Sequence, residues 1–331
     1  MADIVFGAGT SHSPMLLFDA QGWLAWGESR DPQMTDLAGG DGAVRPFQEW
    51  VEHNQERMRA ELTDEVLASK VARCAAAVAE LARRIAAASL ETLIIVGDDQ
   101  SEHLFTSNLP PFLVHHGDGL PNGPSPFGEN APALMQAMGR GYYEPNGPCT
   151  YDVDTSLARH LVEHLLDAGF DIASSDRLPG DRPEGHAFQY VHRHLAPAGV
   201  ATVAIMLNTY LPPAQPRARR CVQLGSALRT AVAAVEDDRR VGIIASGGLS
   251  HFLISEDLDR RVLGACAAKD LDALGAIPEA VLQSGTSEIK NWMVAAAACG
   301  HLDFDLIDYV PGYRTPAGTG TALAFATWSP S

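Results

Sequence analysis

Two histidines follow apolar segments that have the pattern of buried strands. His12 stands in a Gly-Thr-Ser-His segment after residues 4–6, and His251 stands in Gly-Gly-Leu-Ser-His after residues 241–245. Open α/β sheets bind ligands outside the carboxyl ends of their strands, so both imidazoles are expected at one crevice, unless each only satisfies its own loop. Imidazole can bind a transition metal, and its near-neutral pKa also lets it move a substrate proton.

Glu288 falls in residues 285–293, which have the pattern of a helix start. A carboxylate there either complements the helix dipole or serves as a metal ligand. Imidazole and carboxylate together select Fe(II), Mn or Zn, and non-haem iron keeps open positions for substrate and O2. We therefore expect His12 and Glu288 to bind a metal and His251 to act as an acid and base.

Further polar residues follow other predicted elements. Residues 94–103 form a third strand end with Asp98, Asp99, Gln100 and His103, which could also be turn or cap residues. His186 follows a loop-like segment and either donates a hydrogen bond to a substrate oxygen or lies in a surface loop.

The segment from Tyr313 to Gly320 is rich in glycine and contains Arg314 and Thr315. It lacks the Lys-Ser/Thr and helix of a phosphate loop, which argues against a nucleotide site. Arg314 is instead a candidate clamp for a substrate carboxylate, because its planar fork can bind both oxygens.

The composition indicates a globular protein of a reducing compartment. The chain has 331 residues, 46% hydrophobic, with five scattered cysteines and a formal charge of -17. Such a charge repels nucleic acid and anionic lipid, so we expect neither partner, and an anionic substrate would need a local positive group. Without a signal-like N-terminus or an apolar run of about 20 residues, we expect a cytoplasmic protein.

Short apolar segments alternate with longer helical patterns, which predicts a single α/β domain over residues 1–331 with a mixed central sheet covered by helices on both faces. Residues 19–50 and 107–150 have no regular pattern, and we expect long loops that form lids, substrate walls or the contact of a homodimer. The predicted helices are 64–88, 154–168 and 217–235, and the predicted strands include 92–96, 200–206 and 241–245.

Taken in order, the Gly-Thr-Ser-His12 segment, the Gly-Gly-Leu-Ser-His251 segment and Glu288 resemble the class III extradiol dioxygenases, the enzymes similar to the catalytic subunit of protocatechuate 4,5-dioxygenase. The resemblance spans nearly the whole chain, and residues 207–216 and 313–320 look closest to the branch with 3-O-methylgallate dioxygenases. It implies Fe(II) held by two histidines and a glutamate, O2 as co-substrate, and cleavage of a catecholic or gallate-like ring next to its diol.

The same resemblance implies roles for two histidines, and the sequence adds four further candidates. His251 matches the acid-base histidine, and His186 matches a second active-site histidine. Tyr313 is expected to steady developing oxygen charge. The expected substrate contacts are Arg314, Thr315 and Asn208.

One residue departs from the family pattern. Where the commoner pattern has Asp-His after the second strand, this sequence has Asp99-Gln100, so the second metal histidine is missing. The amide oxygen of Gln100 is the first candidate for the middle ligand, with His103 and His53 as alternatives. The alternative functions are a metal hydrolase and a non-catalytic binding protein, both on the same fold.

Overall fold

The computed structural model describes residues 2–330, along which strands and helices alternate. The strands are β1 (Asp3–Thr10), β2 (Thr92–Asp98), β3 (Phe112–His115), β4 (Gly119–Asn122), β5 (Cys149–Asp152), β6 (Ala173–Ser175), β7 (Ala201–Leu207), β8 (Arg240–Ser246), β9 (Asp303–Tyr313) and β10 (Gly320–Ser329). The α-helices are α1 (Ala20–Arg30), α2 (Phe47–Glu61), α3 (Asp64–Ala87), α4 (Ala133–Tyr142), α5 (Thr155–Asp167), α6 (His186–His194), α7 (Ala218–Ala233), α8 (Glu256–Ala268), α9 (Leu271–Gly275) and α10 (Ile289–Ala298).

Eight of these strands form one mixed sheet in the order β6-β3-β7-β2-β8-β1-β10-β9. The central four, β7, β2, β8 and β1, are parallel, whereas the hairpin of β9 and β10 adds antiparallel strands beside β1. Parallel strands end at the same edge of a sheet. The residues that follow β1, β2 and β8 are therefore neighbours in space.

Helices cover both faces of this sheet. In β2, Ile94 and Val96 join a core cluster on one face, while Leu93 and Ile95 join a second cluster on the other. Successive strand side chains point to opposite faces, so a strand buried on both sides needs a continuous apolar sequence. The sheet with its two core clusters confirms the predicted single α/β domain.

Most predicted elements are confirmed within a few residues. The helix predicted at 64–88 is α3, which begins after Thr63, whose hydroxyl accepts a hydrogen bond from the Val66 amide. The helix predicted at 154–168 is α5, and Gly169 follows it with a φ of 79°. Glycine adopts this left-handed conformation without the steric cost of a side chain, which favours the chain reversal there.

The prediction of two long loops is wrong, because both segments contain helices or strands. Residues 19–50 contain α1 and the start of α2, and residues 107–150 contain α4 and short strands. The start signal of α1 is local, since the Asp19 carboxylate accepts the Gly22 amide hydrogen in an N-cap. No helix formed by residues 2–330 combines the length and the apolar character needed to span a bilayer.

Candidate metal and active site

A cavity of 390 Å³ opens where β1, β2 and β8 end. His12, Gln100 and His251, which follow these three strands, line it, as does Glu288 just before α10. The cavity wall is otherwise largely aromatic and apolar. The aromatic and apolar lining residues are Trp26, Phe127, Met138, Tyr142, Tyr143, Tyr210 and Phe252.

The Nε2 atom of His12 directs an unshared electron pair into the cavity. Its Nδ1 lies 3.1 Å from Ser246 Oγ, whose own hydrogen goes to the Ala187 carbonyl at 2.7 Å. The serine oxygen must therefore accept from Nδ1, which leaves Nε2 without a proton. Burial lowers the pKa of His12 to about 3, so the ring stays neutral and suited to binding a metal.

His186, the first residue of α6, faces His12. The two Nε2 atoms are 3.1 Å apart, and His186 Nδ1 lies 3.0 Å from both carboxylate oxygens of Glu102. Burial acts to lower the pKa of His186, but neighbouring carboxylates, Glu102 first, raise it to about 10. Glu102 thus fixes the orientation of the ring. With the raised pKa, His186 carries a proton on Nε2 at neutral pH, so a metal bound there would displace that proton, and Glu102 would then act as a carboxylate does behind a metal-bound histidine.

Glu288 lies between His12 and His251. Its Oε2 is 3.6 Å from His12 Nε2 and accepts the Gly248 amide hydrogen at 2.7 Å. Its Oε1 is 3.1 Å from His251 Nε2 and accepts the Tyr210 hydroxyl at 2.7 Å. Burial acts to raise the pKa of Glu288, but the two imidazoles hold it well below its usual value, so the group is a carboxylate.

Asp98, at the end of β2, is a second buried carboxylate at this point. It is fully buried, and its Oδ1 lies 3.7 Å from His12 Nε2. Donor atoms of His12, Asp98 and His186 all lie within 4.8 Å of one another, a spacing that could hold a metal ion. Burial, and then the charge of Glu288, raise the pKa of Asp98 well above its usual value, as expected of two carboxyl groups that share a site.

Gln100 lines the same cavity but is exposed. Its amide nitrogen lies 3.4 Å from Asp98 Oδ2 and 3.4 Å from His186 Nε2. The side chain thus points its donor end toward these groups. Gln100 therefore lies beside the candidate metal ligands, but its amide oxygen, the atom predicted to bind the metal, is turned away from Asp98 and His186.

Residues 63–323 match the family described as the catalytic LigB subunit of aromatic ring-opening dioxygenase. The chain belongs to this family. It is 32% identical over 171 residues to a 2,3-dihydroxyphenylpropionate/2,3-dihydroxicinnamic acid 1,2-dioxygenase of a Rhodococcus species, a match over 51% of this chain and 46% of the relative. It is 34% identical over 105 residues to the gallate dioxygenase of Pseudomonas putida, over 30% of this chain and 29% of the relative.

A further relative, the dioxygenase of Azotobacter vinelandii that carries the same dihydroxyphenylpropionate name, is 30% identical over 184 residues, 56% of this chain and 51% of that protein. The matches to the two dihydroxyphenylpropionate dioxygenases thus span about half of their length. A solved structure of an uncharacterized protein from Escherichia coli K12 covers 97% of this chain and 99% of its own at 12% identity, but with a TM-score of only 0.40.

Arg314 is not free to clamp a substrate, which corrects the sequence prediction. Its Nε and Nη2 donate to the two carboxylate oxygens of Asp31 at 2.8 and 2.9 Å, and both side chains are fully buried. Thr315 lies in the same buried network, 2.5 Å from the Thr319 hydroxyl. Neither residue lines the cavity.

Tyr313 and Asn208 also lie outside the cavity lining, contrary to their predicted roles. The Tyr313 hydroxyl donates to Glu256 at 2.7 Å. The Asn208 amide bridges both backbone groups of Leu211 at 2.9 Å, so it holds a turn. These polar groups have structural partners that a sequence pattern does not reveal.

The two alternative metal histidines lie apart from the cavity as well. His53 is exposed on α2, against Trp50 and beside a different surface depression. His103 is buried, and burial lowers its pKa to about 4, but its ring does not line the cavity with His12. Neither is positioned to join His12 and Glu288.

Sequence reasoning missed three residues of the site. Tyr210 stands in a motif that was noted only for its resemblance, and Glu102 belongs to a strand end whose polar residues could be turn or cap residues. Arg30 lies within residues 19–50, which were expected to form a loop. Arg30 is the one Lys or Arg among the lining residues that the structure describes, and it stacks 4.6 Å from the Phe252 ring. One indication of such a residue was present in the sequence. Because the net charge is negative, an anionic substrate would need a local positive group.

Proposed function

We propose that this protein is an Fe(II)-dependent extradiol dioxygenase that inserts both atoms of O2 into an aromatic ring next to its diol. The observation that carries the proposal is the convergence of His12, His186, His251 and Glu288 on one cavity walled by aromatic side chains. Two imidazoles and one carboxylate with open positions suit non-haem iron. The family of the chain gives the reaction class.

We assign the iron to His12, His186 and Glu288. Two nitrogens bound to one metal, each at about 2.1 Å, lie about 3 Å apart in neighbouring positions, which fits the 3.1 Å between the two Nε2 atoms. His186 therefore takes the place predicted for Gln100. Asp98 is the alternative carboxylate ligand, because its oxygen lies within 4.8 Å of donor atoms of both histidines.

When bound, ferrous iron supplies a Lewis acid that lowers the pKa of the diol hydroxyls and an electron relay between the ring and O2. His251 supplies the proton transfer. Its Nδ1 donates to the Leu249 carbonyl at 2.7 Å, so Nε2, which faces the cavity beside Glu288, is the atom that accepts and returns a proton. Tyr210 holds the carboxylate of Glu288 in place through its hydroxyl.

Arg30 takes over the role predicted for Arg314 and would bind a carboxylate on the substrate. The adjacent Asp31 is occupied by Arg314, and no ion pair of Arg30 is formed within residues 2–330. Its guanidinium lies on the ring of Phe252, the residue after His251, at the junction of the cavity with a shallower outer depression.

The test is oxygen uptake after anaerobic Fe(II) reconstitution. Protocatechuate, gallate, 3-O-methylgallate, catechol and 2-aminophenol are supplied in turn, and the electrode is read together with visible absorbance. We expect uptake with a yellow ring-opened product for at least one dihydroxylated ring. Hydrolysis of aryl esters without oxygen uptake would instead support the metal hydrolase.

A further inference from the structure

Both backbone hydrogen-bonding groups of His251 are paired with one side chain, the hydroxyl of Thr286. The N–H of His251 donates to Thr286 Oγ1 at 3.1 Å, and the same hydroxyl donates to the His251 carbonyl at 2.8 Å. Within residues 2–330, neither backbone group has another hydrogen-bond partner. Thr286 is buried, so without its hydroxyl both groups would lack a partner away from bulk water.

The imidazole of His251 packs directly against the backbone of Gly285. A Cβ atom on Gly285 would lie 2.1 Å from His251 Cδ2 and 2.6 Å from its Nε2, so only a residue without a side chain leaves room for the ring. A Cβ atom on Gly248 would make a further tight contact, 3.0 Å from His251 Cε1. The ring therefore has little freedom to move while residues 285 and 286 stay in place.

The same short segment carries the carboxylate that faces His251. Gly285, Thr286 and Glu288 belong to one largely buried 3-10 turn, Ser284–Glu288, which leads into α10. Glu288 Oε1 lies 3.1 Å from His251 Nε2. Five consecutive residues thus hold both the carboxylate assigned to the iron and the histidine assigned to proton transfer, and they set the distance between the two groups.

We propose that Thr286 and Gly285 are positioning residues for His251, in which the hydroxyl fixes the backbone of the histidine and the glycine leaves the space that its ring occupies. Neither residue lines the cavity, so both act through His251 and not on the substrate. This inference rests on the proposed function for the role of His251. Proton transfer needs donor and acceptor within hydrogen-bond reach, so a small displacement of the ring lowers turnover and leaves substrate binding nearly unchanged.

The test measures oxygen uptake by the iron-reconstituted protein and its variants with the diol that is cleaved fastest. Thr286→Val keeps the shape of the side chain and removes the hydroxyl, so kcat should fall about ten- to a hundredfold. The KM for the diol should stay within about threefold, because the substrate contacts are intact. Thr286→Ser keeps the hydroxyl and should recover most of the lost kcat. Gly285→Ala keeps the hydroxyl but displaces the ring, so it should lower kcat as Thr286→Val does.

Two controls separate positioning from a general loss of stability. Thr92→Val removes another buried hydroxyl, which donates to Asp154 at 2.6 Å at the start of β2, the end of the strand away from the site, and it should leave kcat unchanged. In a His251→Ala background, Thr286→Val should cause no further loss of the residual kcat, because residues that act as a unit are not additive. An equal loss in both backgrounds, or no recovery by Thr286→Ser, would overturn the inference.

A crystal structure of the iron-loaded Thr286→Val protein makes the test independent of turnover. If no diol causes oxygen uptake, the proposed function is lost, and the position of His251 decides the inference. An imidazole that is displaced in Thr286→Val and restored in Thr286→Ser would retain the positioning role, whereas an imidazole in its wild-type place would overturn it. A Thr286→Val protein that cleaves the diol as fast as the wild type would keep the proposed function and overturn the inference.

Discussion

The Nε2 atoms of His12 and His186 lie 3.1 Å apart, although 174 positions separate the two residues in the chain. The other nitrogen of each ring is held, by Ser246 for His12 and by Glu102 for His186. Neither ring can turn without losing that bond. The pair is thus a fixed arrangement of two imidazoles, and in the proposed assignment His186 takes the place of the second histidine that the sequence lacks after β2.

We predict that His186, and not Gln100, holds the iron. His186→Ala should weaken anaerobic Fe(II) binding at least ten- to a hundredfold, the loss typical of disturbed metal sites. Gln100→Ala, the matched variant in the same cavity, should stay within about threefold. Titration of each variant with Fe(II) and a competing chelator measures this, and the opposite order of the two variants would restore Gln100 as the ligand.

A second pair of variants tests whether Glu288 or Asp98 is the carboxylate that binds the iron. Glu288→Gln should abolish stoichiometric iron binding, because it removes the charged donor that lies 3.6 Å from His12 Nε2. Asp98→Asn should keep the metal, since Asp98 has a raised pKa and contributes less charge. Iron content after anaerobic gel filtration is the measurement, and iron loss only in Asp98→Asn would exchange the two roles.

His251 should affect turnover more than binding. His251→Ala is expected to lower kcat by roughly 10²- to 10⁴-fold, the range for removal of a positioned acid-base group, while the protein still binds iron. Stopped-flow spectra with a catechol and parallel iron analysis test the two halves of this prediction. Loss of the metal together with activity would make His251 a ligand.

Arg30 should select substrates that carry a carboxylate. Arg30→Gln is expected to raise KM for a carboxylated diol about ten- to a hundredfold, because a charge-assisted hydrogen bond is lost. The methyl ester of the same diol is the control and should be cleaved alike by both proteins. An equal loss for acid and ester would indicate that Arg30 only supports Trp26 and Phe252.

Arg314 should matter for stability. Arg314→Met leaves the buried Asp31 carboxylate unpaired, which is expected to lower the free energy of unfolding by about 3–5 kcal/mol. Urea denaturation measures this, and the double variant Asp31→Leu/Arg314→Met should recover part of the loss. Unchanged stability with a raised KM for carboxylated diols would return Arg314 to the role of substrate clamp.

The contrast between Arg30 and Arg314 shows what the sequence could and could not predict. His12, His251 and Glu288 were predictable because each stands beside an element end, and the order of parallel strands brings such ends together. Which arginine remains free depends on a contact between Asp31 and Arg314, which are 283 positions apart. No local pattern records that pairing.

The same reasoning applies to the middle ligand. Gln100 was chosen by its position after β2, whereas His186 reaches the site from the start of a helix on another part of the chain. The helix α1 had a local signal in Asp19, which a glycine-rich composition concealed. The homodimer and the cytoplasmic location stay predictions.

The most direct test of the central claim is ring cleavage under isotopically labelled O2, with mass spectrometry of the product. The iron-reconstituted protein is given the diol that consumes the most oxygen, and His251→Ala is run beside it. We predict a ring-opened product that contains both atoms of one O2 molecule, formed by the wild type and, at the same protein concentration, at least about a hundredfold more slowly by the variant. A product without labelled oxygen, or a diol recovered unchanged by an iron-loaded protein, would contradict the account.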